Sequence, residues 1–217
     1  VPWLIFTSTD VEPRCTGATN HGCHLCVTSV ARSLPESPHP LVNQSSNILV
    51  GEIGSVFWLR VEGKGCFQNS IDVKRVVQQQ IKGGMRNFVF DLDRCPTMDS
   101  TFLGTLTGVA RDLRQNGGGR VTVVNVNARN EQLLSSLGLN HVLEVDVDGS
   151  AWEDERKVAA SELAQCDKTP EVCKTDQAEH VLEAHKALSK ASAANASRFR
   201  DVIDYLEKDL GEKKADQ

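Results

Sequence analysis

The chain holds 217 residues, 40% hydrophobic and 24% charged, with a formal net charge of −5. This is the composition of a soluble globular protein with one ordinary domain plus extensions, or two small domains. The acidic balance argues against general nucleic-acid binding, and no apolar run nears the roughly 18 to 20 residues that span a bilayer. Seven cysteines, an odd number, lie scattered between Cys15 and Cys173. A secreted disulfide scaffold would be denser and even-numbered, so free thiols in a reducing compartment are expected. The opening "VPWLIF" is too short for a signal-peptide core and has no basic residues before it, which points to a cytoplasmic protein.

Residues 1–46 are rich in Ser, Thr and Pro and show no lasting periodicity. Such a segment buries too little apolar surface to offset its ordering entropy and reads as disordered. The chain opens on valine and has no methionine before Met85. An over-called start, with a GTG codon written as Val1, would account for this segment. Inside it, "HGCHLC" sets a Cys23-x-x-Cys26 pair beside His21 and His24. Zinc needs four tetrahedral ligands and one such pair supplies two, so the cysteines are read as incidental, with no metal and no cofactor expected.

From Ile48 the pattern changes. "ILVGEI" and "SVFWLRVEG" flank Gly54-Ser55, a hairpin signal. "SIDVKRVVQQQIKGG" has apolar residues close to helical spacing and closes on two glycines. "RNFVFDL" is an apolar strand, as expected for one covered on both faces. "DSTFLGTLTGVARDLRQNGGG" reads as a helix ended by three glycines. A strand "RVTVVNV", a helix "NEQLLSSLGL" and a last strand "HVLEVDV" follow. Strands alternating with helices imply parallel crossovers in one sheet of about 100 residues.

Beyond Gly149 the pattern is helical throughout, broken at Pro170. The second helix would run for more than thirty residues with Val181, Leu188, Phe199, Val202 and Leu206 on one stripe, interrupted by Ser192 and Asn195. This imperfect heptad leaves two readings: an appendage packing back on its own sheet, or a partner-binding or self-associating helix.

The stretch "FDLDRCPTMDSTFLGTL" carries two chemical signatures. Its first half resembles the opening motif of haloacid-dehalogenase-type phosphatases, with Asp91 as nucleophile and Asp93 as acid–base partner. That family continues Gly-Thr where Arg94-Cys95 stand here, and its late Gly-Asp pair is missing around Asp146 and Asp148. The order hairpin, helix, strand, "MDSTFLGTL" helix, strand, helix, strand instead resembles the STAS domain of bacterial anti-sigma factor antagonists over residues 47–149. "NGGGRVTVVNV" and "NEQLLSSLGLNHVLEV" supply two further landmarks in order.

The resemblance implies an α/β STAS fold: a mixed, mostly parallel sheet with an N-terminal hairpin, alternating helices, and here a helical extension over 150–217. It implies a regulatory binding module rather than an enzyme, with Ser100 as phosphoacceptor. Asp99, Thr101, Phe102, Leu103 and Gly104 would form the partner-binding surface. Unphosphorylated, the domain would bind an anti-sigma factor or serine kinase, and a separate phosphatase would restore it. The family usually has glycine where Phe102 stands, so a bulky ring there would change the surface a kinase meets. A STAS scaffold that never switches is the alternative, with Ser100 a plain helix cap. The three glycines at 117–119 precede a strand, not a helix, so the chain supplies no P-loop.

Overall fold

The computed structural model describes residues 46–115, 117–169 and 172–215. Residues 1–45 of the segment read as disordered, with the Cys23–Cys26 pair, lie outside them.

Strands β1 (Asn47–Ile53) and β2 (Val56–Glu62) form an antiparallel hairpin whose register closes with Ile53 opposite Val56. Gly54 takes φ +59 at its first corner, a left-handed conformation that costs glycine nothing. Helix α1 (Phe67–Lys82) starts ahead of Ser70, because Asn69 Oδ1 accepts the Cys66 amide at 2.9 Å and closes its first turn. Strand β3 (Asn87–Asp91) leads through a loop into α2 (Ser100–Gln115), and β4 (Arg120–Val124) into α3 (Ala128–Ser136).

The expected last strand shrinks to β5 (Glu144–Val145), because Leu139–His141 wind into a 3-10 turn. That turn buries Leu139 and Leu143 against the core instead of extending the sheet. Strands β2 to β5 run parallel, as the crossovers require.

The chain after Gly149 departs from the all-helical expectation. Helix α4 (Glu153–Glu162) is followed by β6 (Ala164–Gln165), which pairs antiparallel with Leu49 and Val50 of β1. The sheet order is β5-β4-β3-β2-β1-β6, so its sixth strand comes from the extension. Ala159 of α4 joins Ile53, Val56, Trp58, Val89 and Val124 in a second apolar cluster, packed against by Trp152, Val158 and Leu163. The main core holds Phe57, Phe88, Phe90, Phe102 and Leu106 with residues of α1 and α3.

The single long helix expected next is three: α5 (Lys174–Ser189), α6 (Ala193–Arg198) and α7 (Arg200–Ala215). The break falls on the two residues that interrupted the apolar stripe. Ser192 Oγ caps α6 by accepting the Asn195 amide at 3.2 Å. The buried Asn195 side chain donates to the Leu137 and Leu188 carbonyls at 2.9 and 3.1 Å. A polar side chain spent on backbone carbonyls holds the chain out of a continuous helix. In the extension, α4 and β6 pack on the sheet and α5 packs on α2. No helix among the described residues is long and apolar enough to cross a membrane.

Candidate functional site

The loop between β3 and α2 is stitched to the β2–α1 connection. Gly63 N–H donates to Arg94 O at 2.9 Å, Gly65 N–H to Thr97 O at 3.0 Å, and Asp99 N–H to Gly65 O at 2.9 Å. A side chain on Gly65 would meet Met98 and Phe102 at 3.0 Å, so glycine lets the two segments approach. The result fixes Asp99 between two helix starts. Its Oδ1 accepts the Phe102 amide of α2 at 2.9 Å and its Oδ2 the Phe67 amide of α1 at 3.0 Å. One carboxylate therefore caps both helices, and both N-terminal dipoles converge where Ser100 begins α2.

The six residues read as the site do not share one surface. Asp99 is the double cap, and Ser100 is partly buried at the first position of α2. Thr101 is 6% exposed, Phe102 0% and Leu103 2%, and Gly104 is also buried. Phe102 and Leu103 belong to the main core. The expected effect of a bulky ring on the docking surface is therefore corrected: Phe102 points inward and fills the space over Gly65.

Gly104 is covered by α5, which lies along α2. A Cβ on Gly104 would stand 2.3 Å from the Ala184 carbonyl oxygen, so α5 seats backbone to backbone on this glycine. One turn earlier, Ser100 Oγ lies 3.0 Å from His185 Nε2. His185 Nδ1 is 2.8 Å from Val181 O, and a carbonyl can only accept, so Nδ1 carries the proton. In that tautomer Nε2 accepts from the Ser100 hydroxyl. The Phe199 ring meets His185 edge-on at 5.6 Å between centroids.

A second histidine anchors the same helix. His180 Nε2 lies 2.8 Å from Ser70 Oγ and 3.4 Å from Thr105 Oγ1. Both hydroxyls already donate to backbone carbonyls, Phe67 and Thr101, so His180 Nε2–H is the donor to them. Burial, with Lys74 nearby, pushes the His180 pKa down to about 4, and the ring is neutral at pH 7. Neither histidine carries a signal legible in sequence. They stand five residues apart, lie outside the landmark motifs, and matter only because α5 returns to α2.

Asp91, the nucleophile of the phosphatase reading, is 0% exposed. Its Oδ2 accepts Arg60 Nε at 2.7 Å and Trp58 Nε1 at 3.3 Å; its Oδ1 accepts Asn125 Nδ2 at 2.8 Å and the Asp93 amide at 3.1 Å. Burial alone would raise its pKa, but the bonds from Asn125, Arg60 and Asp93 outweigh it and hold the carboxyl below the usual range. Four donors on a buried carboxylate make Asp91 a structural hub. Asp146 is tied to Arg156 and Asp148 to Ser150, so the two acids near which the late motif is missing are also engaged locally. Among the described cysteines none is disulfide-bonded, and burial raises the thiol pKa of Cys95 and Cys166.

The STAS domain family model matches residues 47–149. No curated protein matches the chain in sequence. Solved structures with a similar fold include TM1081 of Thermotoga maritima, 21% identical, with a TM-score of 0.44 over 49% of this chain and 92% of that one. The anti-sigma factor antagonist SpoIIAA in its unphosphorylated form is 15% identical, with a TM-score of 0.42 over 52% of this chain and 96% of that one. An anti-sigma factor antagonist from Mycobacterium paratuberculosis is 16% identical, with a TM-score of 0.43 over 54% of this chain and 95% of that one.

Proposed function

With residues 47–149 a STAS domain, we propose that this chain is an anti-sigma factor antagonist in a partner-switching pathway, with Ser100 as the modified residue. Unphosphorylated, it binds an anti-sigma factor that is also a serine kinase; phosphorylated, it lets go. In the modification step Ser100 Oγ bonds to the γ-phosphorus of ATP, ADP leaves with the bridging oxygen, and the hydroxyl proton passes to a base on the kinase. A separate phosphatase hydrolyses the ester.

The observation that carries this reading is the position of Ser100 at the first residue of α2, beside the start of α1. Phosphate adds about −1.5 to −2 charges and three acceptor oxygens. Two converging helix N-termini favour that charge, so the fold tolerates the modification. A partner shaped for a hydroxyl does not: repulsion and desolvation of roughly 2 to 3 kcal/mol lower affinity about 30- to 150-fold.

Ser100→Asp is therefore expected to fold but lose the partner in a pull-down, whereas Ser100→Ala folds and binds regardless of the kinase. Mass spectrometry after incubation with ATP and an anti-sigma serine kinase should place phosphate on Ser100. The scaffold alternative draws on the Ser100–His185 hydrogen bond, which already occupies the hydroxyl. Phosphate found elsewhere, or both variants binding like the native chain, would favour the scaffold.

A further inference from the structure

Helix α5 is attached to the STAS domain in an unusual way for a core helix. Its buried residues are His180, Ala184, His185 and Leu188. One leucine is the only large aliphatic side chain among them. Much of the rest of the seam is built from small residues and hydrogen bonds: Gly104 against the Ala184 backbone, Gly108 where a Cβ would stand 3.7 Å from Ala187 Cβ, His180 on Ser70 and Thr105, His185 on Ser100. The outer edge is closed by Lys74–Glu183 and by Arg111 Nη1 donating to Lys190 O at 3.0 Å. A cleft of about 400 Å³ stays open along the seam between α1, α2 and α5. Hydrogen bonds exchanged for water leave little net stabilisation, and an unfilled cleft forfeits dispersion contacts. Such a seam holds a helix in place without locking it there.

The same seam partly covers Ser100. Its hydroxyl is held 3.0 Å from His185 Nε2 on the underside of α5, so α5 stands over one side of the position a phosphate would take. We propose that α5 is a displaceable cover: it occupies in cis the face that a kinase or partner needs, and Ser100 becomes reachable only when α5 lifts from Gly104. A competing partner would bring its own helix to the α1–α2 groove, with a small residue over Gly104. The identity of that competitor as an anti-sigma kinase rests on the function proposed above; the cover itself does not.

Gly104→Ala tests this selectively. The nearest atoms its new methyl group meets all belong to the Ala184 backbone, while alanine is the better helix former within α2. In the full-length protein carrying Ser100→Cys, alkylation of position 100 by iodoacetamide is followed by peptide mass spectrometry, which separates it from the native cysteines. Labelling should be slow, and adding Gly104→Ala should speed it roughly tenfold or more, with hydrogen-exchange protection of β3 unchanged.

In the native chain the α5 amides should exchange well before those of β3. Equal labelling with and without Gly104→Ala, or α5 exchanging only together with β3, would overturn the cover. Should Gly104→Ala lose β3 protection as well, the comparison moves to Gln at His180, which keeps one donor toward Ser70, combined with Ala at Ala184's neighbour His185 (His180→Gln/His185→Ala). The same acceleration is then expected, and its absence overturns the proposal. Faster labelling with no kinase-dependent phosphate on Ser100 supports the cover and counts against the switch. Phosphate on Ser100 at a rate indifferent to Gly104→Ala overturns the cover and leaves the switch standing.

Discussion

His180 makes the structure acid-sensitive at a single residue. Folded, its pKa is lowered to about 4; unfolded, it returns to the ordinary value of 6.5. Above pH 6.5 both states are neutral and the contribution is complete. As pH falls from 6.5 through 4, the unfolded chain takes up a proton that the folded chain refuses, and stability is lost. The total is roughly 3 kcal/mol, since each unit is worth about 1.4. Lys74 of α1 disfavours the charged ring and Glu183 of α5 favours it, but burial dominates. Urea midpoints measured between pH 7 and 4 should fall steeply for the native chain and less so for His180→Gln. Parallel curves would show that another group controls the acid limb. Asp91 teaches a different lesson at this scale. Its neighbourhood in sequence resembles a nucleophile motif, yet its partners Trp58 and Arg60 come from β2 and Asn125 from just after β4, and no local pattern connects them.

At the scale of elements, the break between α5 and α6 rests on Asn195. The residue is 1% exposed and its side-chain amide serves two carbonyls, Leu137 after α3 and Leu188 in α5. Asn195→Ala leaves both short of that donor, at a cost of about 1 to 3 kcal/mol in unfolding free energy. The loss should be concentrated near the break, so hydrogen exchange of α5 and α6 should accelerate more than that of β3. Uniform acceleration would mean that Asn195 supports the whole domain equally. The break was half legible: Ser192 and Asn195 visibly interrupt the stripe, but a flaw in a heptad does not say whether a helix bends, swaps partner or stops. β6 was not legible at all, because Ala164-Gln165 has neither apolar alternation nor β-branched residues. It is a strand because α4 delivers it to the open edge of β1, where Cys166 N–H also reaches Ile48 O at 2.8 Å.

For the whole molecule, the extension does two separable jobs: α4 and β6 finish the sheet, and α5 covers the α1–α2 side. A chain ending at Asp148 should lose the first as well as the second. Trp58, 0% exposed, and its neighbours Val56, Val89 and Val124 would lose Ala159 and the residues packed with it. Trp emission should shift to the red, a hydrophobic dye such as ANS should bind, and the unfolding midpoint should drop. Native-like emission and midpoint would show that the sheet is complete without α4. The sequence by itself determined the order of strands and helices from Asn47 to Val145 and the place of the hairpin turn. Those follow from contiguous signals: apolar runs, Gly54 at the turn, glycines after α2, and an acid and a serine where α2 begins. Only the tertiary structure decided that Phe102 and Leu103 face the core and that Ser100 lies beneath α5. His185 is 85 residues from Ser100, and the two meet because Gly104 has no side chain to keep Ala184 away. A contact that depends on a missing methyl group in one helix and a backbone carbonyl in another leaves no trace in either stretch read alone.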